Sequence, residues 1–379
     1  MSANGASGKG PQVGPQVGPR VGPRVGPQAT PTVRPRVALD AFGSDHCPSP
    51  EVAGAIQAAR EGTPVLLVGD HDTLILELSR VTDWTSLPIS IHHASEVITM
   101  EDSPAKAVRG RPDASMPVCF DLVAQGEADV AMSAGNSGAM VACGLFKYRR
   151  IKGIERPALV ATMPTKDGWV DLLDVGANVD CRPVNLVQFA VMGAVYSAFK
   201  HGKTRPRVGV LSNGAEDGKG TELTRAVHRL LTAATLHDLE YIGYVEGHGI
   251  TSGEADVVVT DGFTGNVALK VAEATGRLVT HWVRQSVRGG ARRTVGAALL
   301  RPAFEQLRER LNPDNYGAAP LLGVDGPAFL CHGGSSAFAI ERAIDLAARS
   351  VTEALTPTLA EALARHAPLM TAAKEVDAL

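Results

Sequence analysis

The strongest constraint on this chain is a unit that recurs along it: a short apolar run rich in β-branched residues, a glycine-rich polar loop, and a helical segment. Such runs are typical of strands buried on both faces of a parallel sheet that helices cover. The sequence therefore predicts an α/β fold with a mainly parallel sheet. The predicted strands are Val37–Asp40, Val65–Val68, Ala128–Met132, Ala158–Met163, Val170–Val175, Arg207–Leu211, Tyr241–Val245, Asp256–Thr260 and Ala328–Leu330, and the clearest predicted helices are Pro50–Arg60, Pro183–Lys200, Thr221–Ala233 and Ser335–Arg349.

The domain organisation follows from where this unit stops. Residues 1–36 contain a repeated Pro-x-Val-Gly unit. Proline removes hydrogen-bond donors and glycine adds chain entropy, so we predict a disordered extension there. Residues 37–350 form the predicted enzyme domain, and residues 351–379 form a predicted C-terminal helical tail.

Residues 276–311 differ from the rest of the predicted domain. Apolar residues at helical spacing, several arginines and the pair Gly289-Gly290 predict a basic amphipathic helical hairpin. Three interpretations stay open: contact with an anionic membrane surface, contact with an acidic protein partner or a second copy of the chain, and a solvated helix pair.

Composition argues against several classes of protein. A formal net charge of −3 and an aromatic content of 4% do not favour binding to nucleic acid. The sequence shows no signal peptide and no apolar stretch long enough to span a membrane, so we expect a cytoplasmic protein. The five cysteines are scattered, which favours reduced thiols, and no Cys/His spacing predicts a metal site.

Five of the predicted strands lead into glycine-rich polar loops, each followed by a helix. In open α/β sheets, ligands bind outside the carboxyl ends of the strands, and the free N–H groups of helix starts attract anions. We therefore expect one anion-binding site where all five loops meet at the same edge of the sheet. The loops are Ser133–Gly138, Asp174–Asp180, Gly214–Gly220, Asp261–Asn266 and His332–Ser336.

Familiar cofactor and nucleophile motifs do not fit these loops. Gly214–Gly220 lacks the spacing of a P-loop, and no G-x-G-x-x-G follows the first strand, so we expect no nucleotide cofactor. Cys331 and His332 are neighbours in an extended segment and point to opposite faces, which argues against a Cys–His pair. The loops favour a site that positions two substrates and stabilises charge without a covalent enzyme intermediate.

Long ordered segments of the chain resemble the bacterial phosphate acyltransferases of the PlsX type, from about Val37 to Ser350. They include SAGNSGAM at Ser133, LLDVGANVDCRPVNLVQFAVMGAVYS at Leu172, PRVGVLSNGAEDGKGTELT at Pro206 and ADVVVTDGFTGNVALK at Ala255. The resemblance implies a three-layer α/β/α sandwich, Rossmann-like and related to isocitrate and isopropylmalate dehydrogenases.

The same resemblance implies an activity and a set of partners. The enzyme would transfer a fatty acyl group from acyl carrier protein to inorganic phosphate and supply acyl phosphate to a glycerol-3-phosphate acyltransferase. It would be a homodimer that attaches peripherally to the membrane.

The implied reaction lets us assign roles to residues in the loops. Phosphate attacks a thioester carbonyl, so the site must hold an anion and stabilise an oxyanion. Lys219 is the expected cation, and Asn266 is the expected amide that acts on the carbonyl, with a helix N-cap as its structural alternative. We expect the remaining substrate contacts at Asn136, Ser137, Asn178, Asp180, Asp261, Gly262, Gly265, His332 and Ser335. Because carboxylates repel phosphate, we expect Asp174, Asp180 and Asp261 to act mainly as loop organisers.

The chain departs from the usual family pattern at several positions. Ser44 stands where the family usually has glycine, Leu330 where a lysine is usual, and Ala318 after Tyr316-Gly317 where a glycine is usual. The departures at Ser44 and Leu330 leave open a weakly catalytic paralogue that acts as a scaffold at the membrane or for carrier protein. The fold relatives that the resemblance implies, which include phosphotransacetylases, leave open a phosphotransacylase that uses short acyl-CoA.

Overall fold

The computed structural model describes residues 34–287, 290–311, 314 and 318–377. Most of the predicted 1–36 extension, and Tyr316 and Gly317, lie outside the described residues. The strands are β1 (Val37–Asp40), β2 (Val65–Gly69), β3 (Ile89–His93), β4 (Val130–Ser133), β5 (Ala158–Pro164), β6 (Trp169–Leu173), β7 (Arg207–Leu211), β8 (Glu240–Val245), β9 (Val257–Val259), β10 (Ala319–Leu322) and β11 (Ala328–Leu330). The helices are α1 (Ser49–Arg60), α2 (His71–Leu78), α3 (Pro104–Gly110), α4 (Ser115–Ala124), α5 (Ser137–Cys143), α6 (Pro183–His201), α7 (Glu222–Ala233), α8 (Gly262–Val287), α9 (Ala291–Leu299), α10 (Arg301–Leu311), α11 (Ala337–Thr352), α12 (Leu355–Arg365) and α13 (Ala367–Asp377).

In the described residues the strands form one sheet of eleven, in the order β3-β2-β1-β4-β11-β10-β5-β6-β9-β7-β8. Neighbouring strands are parallel except at β11-β10, β10-β5 and β5-β6. The predicted mainly parallel α/β fold is therefore confirmed. The apolar runs of β1, β4 and β9 are fully buried, as expected for strands covered on both faces.

The three antiparallel pairings have a large consequence for the site. They reverse the strand direction three times, so β4 and β11 run opposite to β6, β9 and β7. The carboxyl ends of β4 and β11 therefore lie at one edge of the sheet, and those of β6, β9 and β7 lie at the other. The expectation that all five loops meet at one edge is wrong: two lie at the first edge and three at the second.

The predicted sheet lacked two strands. β3 is an edge strand that buries none of its residues fully, and β10 is four residues long and contains Pro320, so neither shows a buried β-branched run. The lengths of two connections in the sequence nevertheless indicate these reversals of strand direction. Only residues 165–168 join β5 to β6, and only residues 323–327 join β10 to β11. Connections this short join antiparallel strands, because a parallel crossover needs a dozen or more residues.

Helix α6 forms the centre of one half of the core. Its apolar residues pack on β5, β6, β7 and β9, and α12 and α13 cover its other side. The C-terminal tail is therefore helical and contributes Leu359, Leu363 and Met370 to the core. In the other half, α1 and α11 pack together on β1, β2 and β4.

The predicted hairpin overlaps three helices. Its first arm belongs to α8, which begins at Gly262 and buries only Gly262 and Gly265 completely. Exposed apolar side chains recur along this helix at Phe263, Val267, Val271, Leu278 and Trp282. Within the described residues, no helix is both long enough and apolar enough to cross a bilayer.

Candidate active site

The polar loops form two groups, which we name by their strands. The β9 edge comprises the loops after β6, β9 and β7. The β4 edge comprises the loops after β1, β4 and β11. The strand order β6-β9-β7 places the Asp261–Asn266 loop between the Asp174–Asp180 and Gly214–Gly220 loops.

Asp174 organises the first loop of the β9 edge. It is fully buried, and its Oδ1 accepts hydrogen bonds from the backbone N–H groups of Leu159, Gly176 and Ala177 at 3.0, 3.2 and 3.1 Å. Its Oδ2 accepts from the backbone N–H and the side-chain amide of Asn178 at 2.7 and 2.8 Å. Burial raises the pKa of Asp174, and these hydrogen bonds oppose the rise. Both oxygens of the carboxylate are therefore hydrogen-bonded within the protein, and the carboxylate is not available to a substrate.

Asn178 and two glycines fix the start of helix α8 against this loop. The Asn178 side-chain amide also donates to the Pro157 carbonyl at 2.7 Å, and the Asn178 carbonyl accepts from the Gly262 N–H at 2.7 Å. A Cβ on Gly262 would lie 2.5 Å from the Asn178 carbonyl oxygen, and one on Gly265 would lie 1.9 Å from the Asp174 carbonyl oxygen. Both glycines are needed because the helix packs directly on the loop backbone.

Asp261 caps α8 and leaves Asn266 exposed. The Asp261 carboxylate accepts from the Thr264 N–H and hydroxyl, both at 2.8 Å, and the Asp261 carbonyl accepts from the Gly265 N–H at 2.9 Å. The structural alternative for Asn266, a helix N-cap, is therefore wrong. Asn266 lies one turn inside α8, and its side chain is 3.9 Å from the position of a Cβ on Gly176. An exposed amide beside a glycine-rich loop is free to donate to a substrate oxygen.

Lys219 is exposed on the loop after β7. The backbone beside it is held at Gly220, whose N–H donates to Asn213 Oδ1 at 2.8 Å and whose carbonyl accepts from the Arg225 guanidinium at 2.7 Å. Thr221 caps α7 just beyond it, accepting from the Thr224 N–H at 3.2 Å. The cation therefore lies close to a helix start, and sequence reasoning missed Asn213 and Arg225 as the groups that fix its loop.

At the β4 edge, polar atoms bond mainly to one another. Ser133 donates to the buried Asp40 carboxylate at 2.7 Å, and burial raises the pKa of Asp40 while that bond opposes the rise. Asn136 caps α5 through its Oδ1, and its amide N–H₂ donates to the carbonyls of Thr99, Met100 and Asp102. The substrate contact expected at Asn136 thus has its polar atoms engaged, whereas Ser137 is exposed.

The loop after β11 is held in a similar way. His332 accepts from the Gly334 N–H through Nδ1 at 3.0 Å, and its carbonyl accepts from the Ser335 N–H at 2.9 Å. The ring and the carbonyl of His332 therefore stabilise this turn. Cys331 is buried and His332 exposed, so the predicted opposite orientation is confirmed. Ser335 is buried, and Leu330 packs on the apolar core.

The structure resembles solved phosphotransacylases. A phosphotransacetylase from Streptococcus pyogenes aligns with a TM-score of 0.55 at 16% identity, covering 84% of this chain and 94% of that one. The EutD phosphotransacetylase from Staphylococcus aureus aligns with a TM-score of 0.51 at 17% identity, covering 84% and 94%. At such identities the likeness shows the fold, which defines the chain as an α/β protein of phosphotransacylase architecture.

Sequence comparison then gives the family. The family model described as "Fatty acid synthesis protein" matches residues 35–356. A phosphate acyltransferase from Syntrophotalea carbinolica is 48% identical over 333 residues, covering 88% of this chain and 95% of that protein. One from Geobacter sulfurreducens is 47% identical over 327 residues, covering 86% and 93%. The chain therefore belongs to the PlsX family of phosphate acyltransferases, as its sequence motifs predicted.

Proposed function

We propose that this chain transfers a fatty acyl group from an acyl carrier protein thioester to inorganic phosphate, and that the β9 edge carries the chemistry. Membership of a phosphate acyltransferase family makes the chain an acyltransferase that serves phospholipid synthesis. The observation that supports this location is that Lys219 and Asn266 are both exposed just beyond the adjacent strands β7 and β9, Lys219 in a loop and Asn266 near the start of α8.

The proposed reaction is a displacement at the thioester. A phosphate oxygen attacks the carbonyl carbon, the carbonyl oxygen takes up negative charge, and the carrier's thiolate leaves. Lys219 holds the attacking phosphate by charge, and the Asn266 amide donates a hydrogen bond to the oxyanion. Asp174 and Asp261 repel the phosphate less than free carboxylates would, because loop and helix N–H groups partly offset their charge.

The other expected contacts stay predictions within this proposal. Asp180 is exposed beyond Asn178 on the same edge, and Gly262 and Gly265 let α8 approach. Ser137, His332 and Ser335 lie at the β4 edge, where only a substrate that reaches across the sheet would touch them.

The test is a donor panel with product identification. Purified protein, a long-chain acyl carrier protein thioester and phosphate should release thiol and form acyl phosphate, detected by mass spectrometry, at a rate that depends on phosphate. Thiol release that does not need phosphate would contradict the proposal. Faster turnover of acetyl-CoA or butyryl-CoA would favour the short-chain phosphotransacylase, and no turnover of any donor would favour the scaffold function.

We also propose that helix α8 and the following helices make the contacts predicted for the hairpin. Apolar residues are exposed along α8, with Val295 and Leu299 on α9, and arginines lie beside them, including Arg277 and Arg284. A second copy of the chain, the acidic carrier protein and an anionic membrane all suit such a surface. Replacing Leu278 and Trp282 by glutamate should release the protein from anionic vesicles in flotation, and light scattering shows whether the homodimer is lost as well.

A further inference from the structure

A cationic surface depression lies beside the Asp174–Asn178 loop, and we call it the arginine pocket. It is open to solvent and has a volume of about 460 Å³ between the segment before β5, the start of α6 and the end of α13. Its lining consists of Arg150, Gly153, Ile154, Glu155, Arg156, Arg182 and Lys374. None of these residues was expected to contribute to the site.

The arginine pocket has a large excess of positive charge. Four cations line it and one carboxylate, Glu155, so the formal balance is 4 − 1 = +3. Glu155 is engaged by a close ion pair with Arg182 and a longer one with Lys374 at 3.8 Å. Arg156 is exposed and forms no ion pair with the residues that the structure describes. An anion would therefore meet the guanidinium of Arg156, whose charge no ion pair offsets among the described residues.

The backbone that carries these cations is held in place by a buried side chain. Gln188 on α6 is fully buried, and its Oε1 accepts from the Glu155 N–H at 3.0 Å while its Nε2 donates to the Gly153 carbonyl at 2.9 Å. The Arg150 guanidinium bonds to the Glu155 carbonyl at 2.6 Å. A pocket with a fixed backbone loses little entropy when it binds a ligand, which favours a built subsite over a loose group of surface charges.

The arginine pocket adjoins the proposed reaction centre. The carbonyl of Pro157, the residue after Arg156, accepts a hydrogen bond from the side-chain amide of Asn178. The carbonyl of Asn178 accepts one from the N–H of Gly262, the first residue of α8. Along the sheet, β5 and the pocket come first, then the loops of β6, β9 and β7. The pocket and Lys219 therefore lie on opposite sides of the loop that carries Asn266.

We propose that the arginine pocket binds the phosphate ester of the acyl donor, at the far end of the arm whose thioester reaches Asn266. This inference rests on the proposed function. Guanidinium groups bind phosphate esters through paired, charge-assisted hydrogen bonds, and the adjacent start of α6 adds a favourable dipole. The donor phosphate, the carbonyl and the attacking phosphate then lie in a row, held by the arginine pocket, Asn266 and Lys219 respectively.

The test compares donors with and without the phosphate ester. Arg156→Ala combined with Lys374→Ala removes the cations that bond least to the protein itself. We expect KM to rise about tenfold or more for acyl carrier protein and for acyl-CoA, which is the loss expected for charge-assisted hydrogen bonds. KM for the acyl-pantetheine thioester, which has no phosphate, and KM for inorganic phosphate should not change. A KM rise confined to one of the two phosphate-bearing donors shows which source the pocket serves.

A matched control separates a subsite from a diffuse field. Lys152 is exposed in the same segment but does not line the pocket, so Lys152→Ala should leave every KM within about twofold. An equal effect of Lys152→Ala, an equal rise for acyl-pantetheine, or a rise in KM for inorganic phosphate would each overturn the inference. If the wild-type protein shows no phosphate-dependent turnover, the proposed function fails, and calorimetric binding of coenzyme A against pantetheine still tests the pocket.

Discussion

The two edges of the sheet carry loops of similar composition and use them differently. At the β4 edge, the side chain of Asn136 is hydrogen-bonded to the surrounding backbone, and the hydroxyl of Ser133 is hydrogen-bonded to Asp40. At the β9 edge, the buried Asp174 satisfies the loop, and Asn266 and Lys219 stay exposed. The difference is that Asp174 satisfies the backbone of the loop at the β9 edge, which leaves the amide of Asn266 and the cation of Lys219 available to a substrate.

The largest expected effect tests this contrast directly. Lys219→Ala and Asn266→Ala should each lower kcat/KM by roughly 10²- to 10³-fold, the range for losing one group that stabilises transition-state charge. Ser137→Ala and His332→Ala at the β4 edge should each cost less than about tenfold, since no transition-state contact is lost. The measurement is phosphate-dependent thiol release with each purified variant.

Thermal unfolding of the four variants serves as the control, because all four side chains are exposed and the fold should persist. Equal losses of kcat/KM for the variants at both edges would contradict this difference between the edges and place the β4 edge in the active site. Unchanged activity of Lys219→Ala and Asn266→Ala would remove both residues from the mechanism.

Much of the fold could be predicted because it depends on local patterns. The bounds of β1, β7 and β11 were predicted correctly, since a buried β-branched run between turn residues is read directly from the sequence. The role of Asp174 was also predictable in kind, as a loop organiser. The five bonds that its carboxylate accepts were not, since two of its partners, Leu159 and Asn178, are placed by β5 and by the loop fold.

Strand direction was harder to predict because it depends on pairings between distant segments. The apolar runs of β5 and β6 look the same whether the strands are parallel or antiparallel. Only the short connection at residues 165–168 distinguishes the two. The wrong prediction therefore concerned the site: a reversal of strand direction moves a whole group of loops to the opposite edge of the sheet.

A buried acid under the β4 edge gives the second prediction. Glu51 in the first turn of α1 is fully buried. Burial raises the pKa of Glu51 from 4.5 to about 7; hydrogen bonding by nearby Ser44 opposes the rise, and the charge of Asp40 adds to it. The folded protein therefore keeps a proton that the unfolded chain releases. This stabilisation is complete below pH 4.5 and is lost as the pH rises through about 7.

Glu51→Gln should remove that pH dependence. We expect the variant to gain on the order of 3 kcal/mol in the free energy of unfolding above neutral pH relative to wild type, and little at acid pH. Urea unfolding at several pH values measures the difference. Parallel curves of unfolding free energy against pH would contradict the prediction, because they would show that folding does not shift the pKa of Glu51.

The smallest expected effect concerns Asp256, an acid in the half of the molecule that holds the β9 edge. Burial would raise the pKa of Asp256, but hydrogen bonds from Arg207 and Lys203 outweigh it and lower the pKa from 3.8 to about 2. Its stabilisation is present above pH 3.8 and is lost as the pH falls through about 2, opposite in direction to that of Glu51. Because solvent screens these half-exposed cations, Asp256→Asn should lower the free energy of unfolding by about 1 kcal/mol near neutral pH and by less in acid.

Urea unfolding midpoints measure this change, and Asp72→Asn at an exposed position is the matched control. A loss of stability that stays constant into acid would show that Asp256 acts through packing and not through its charge.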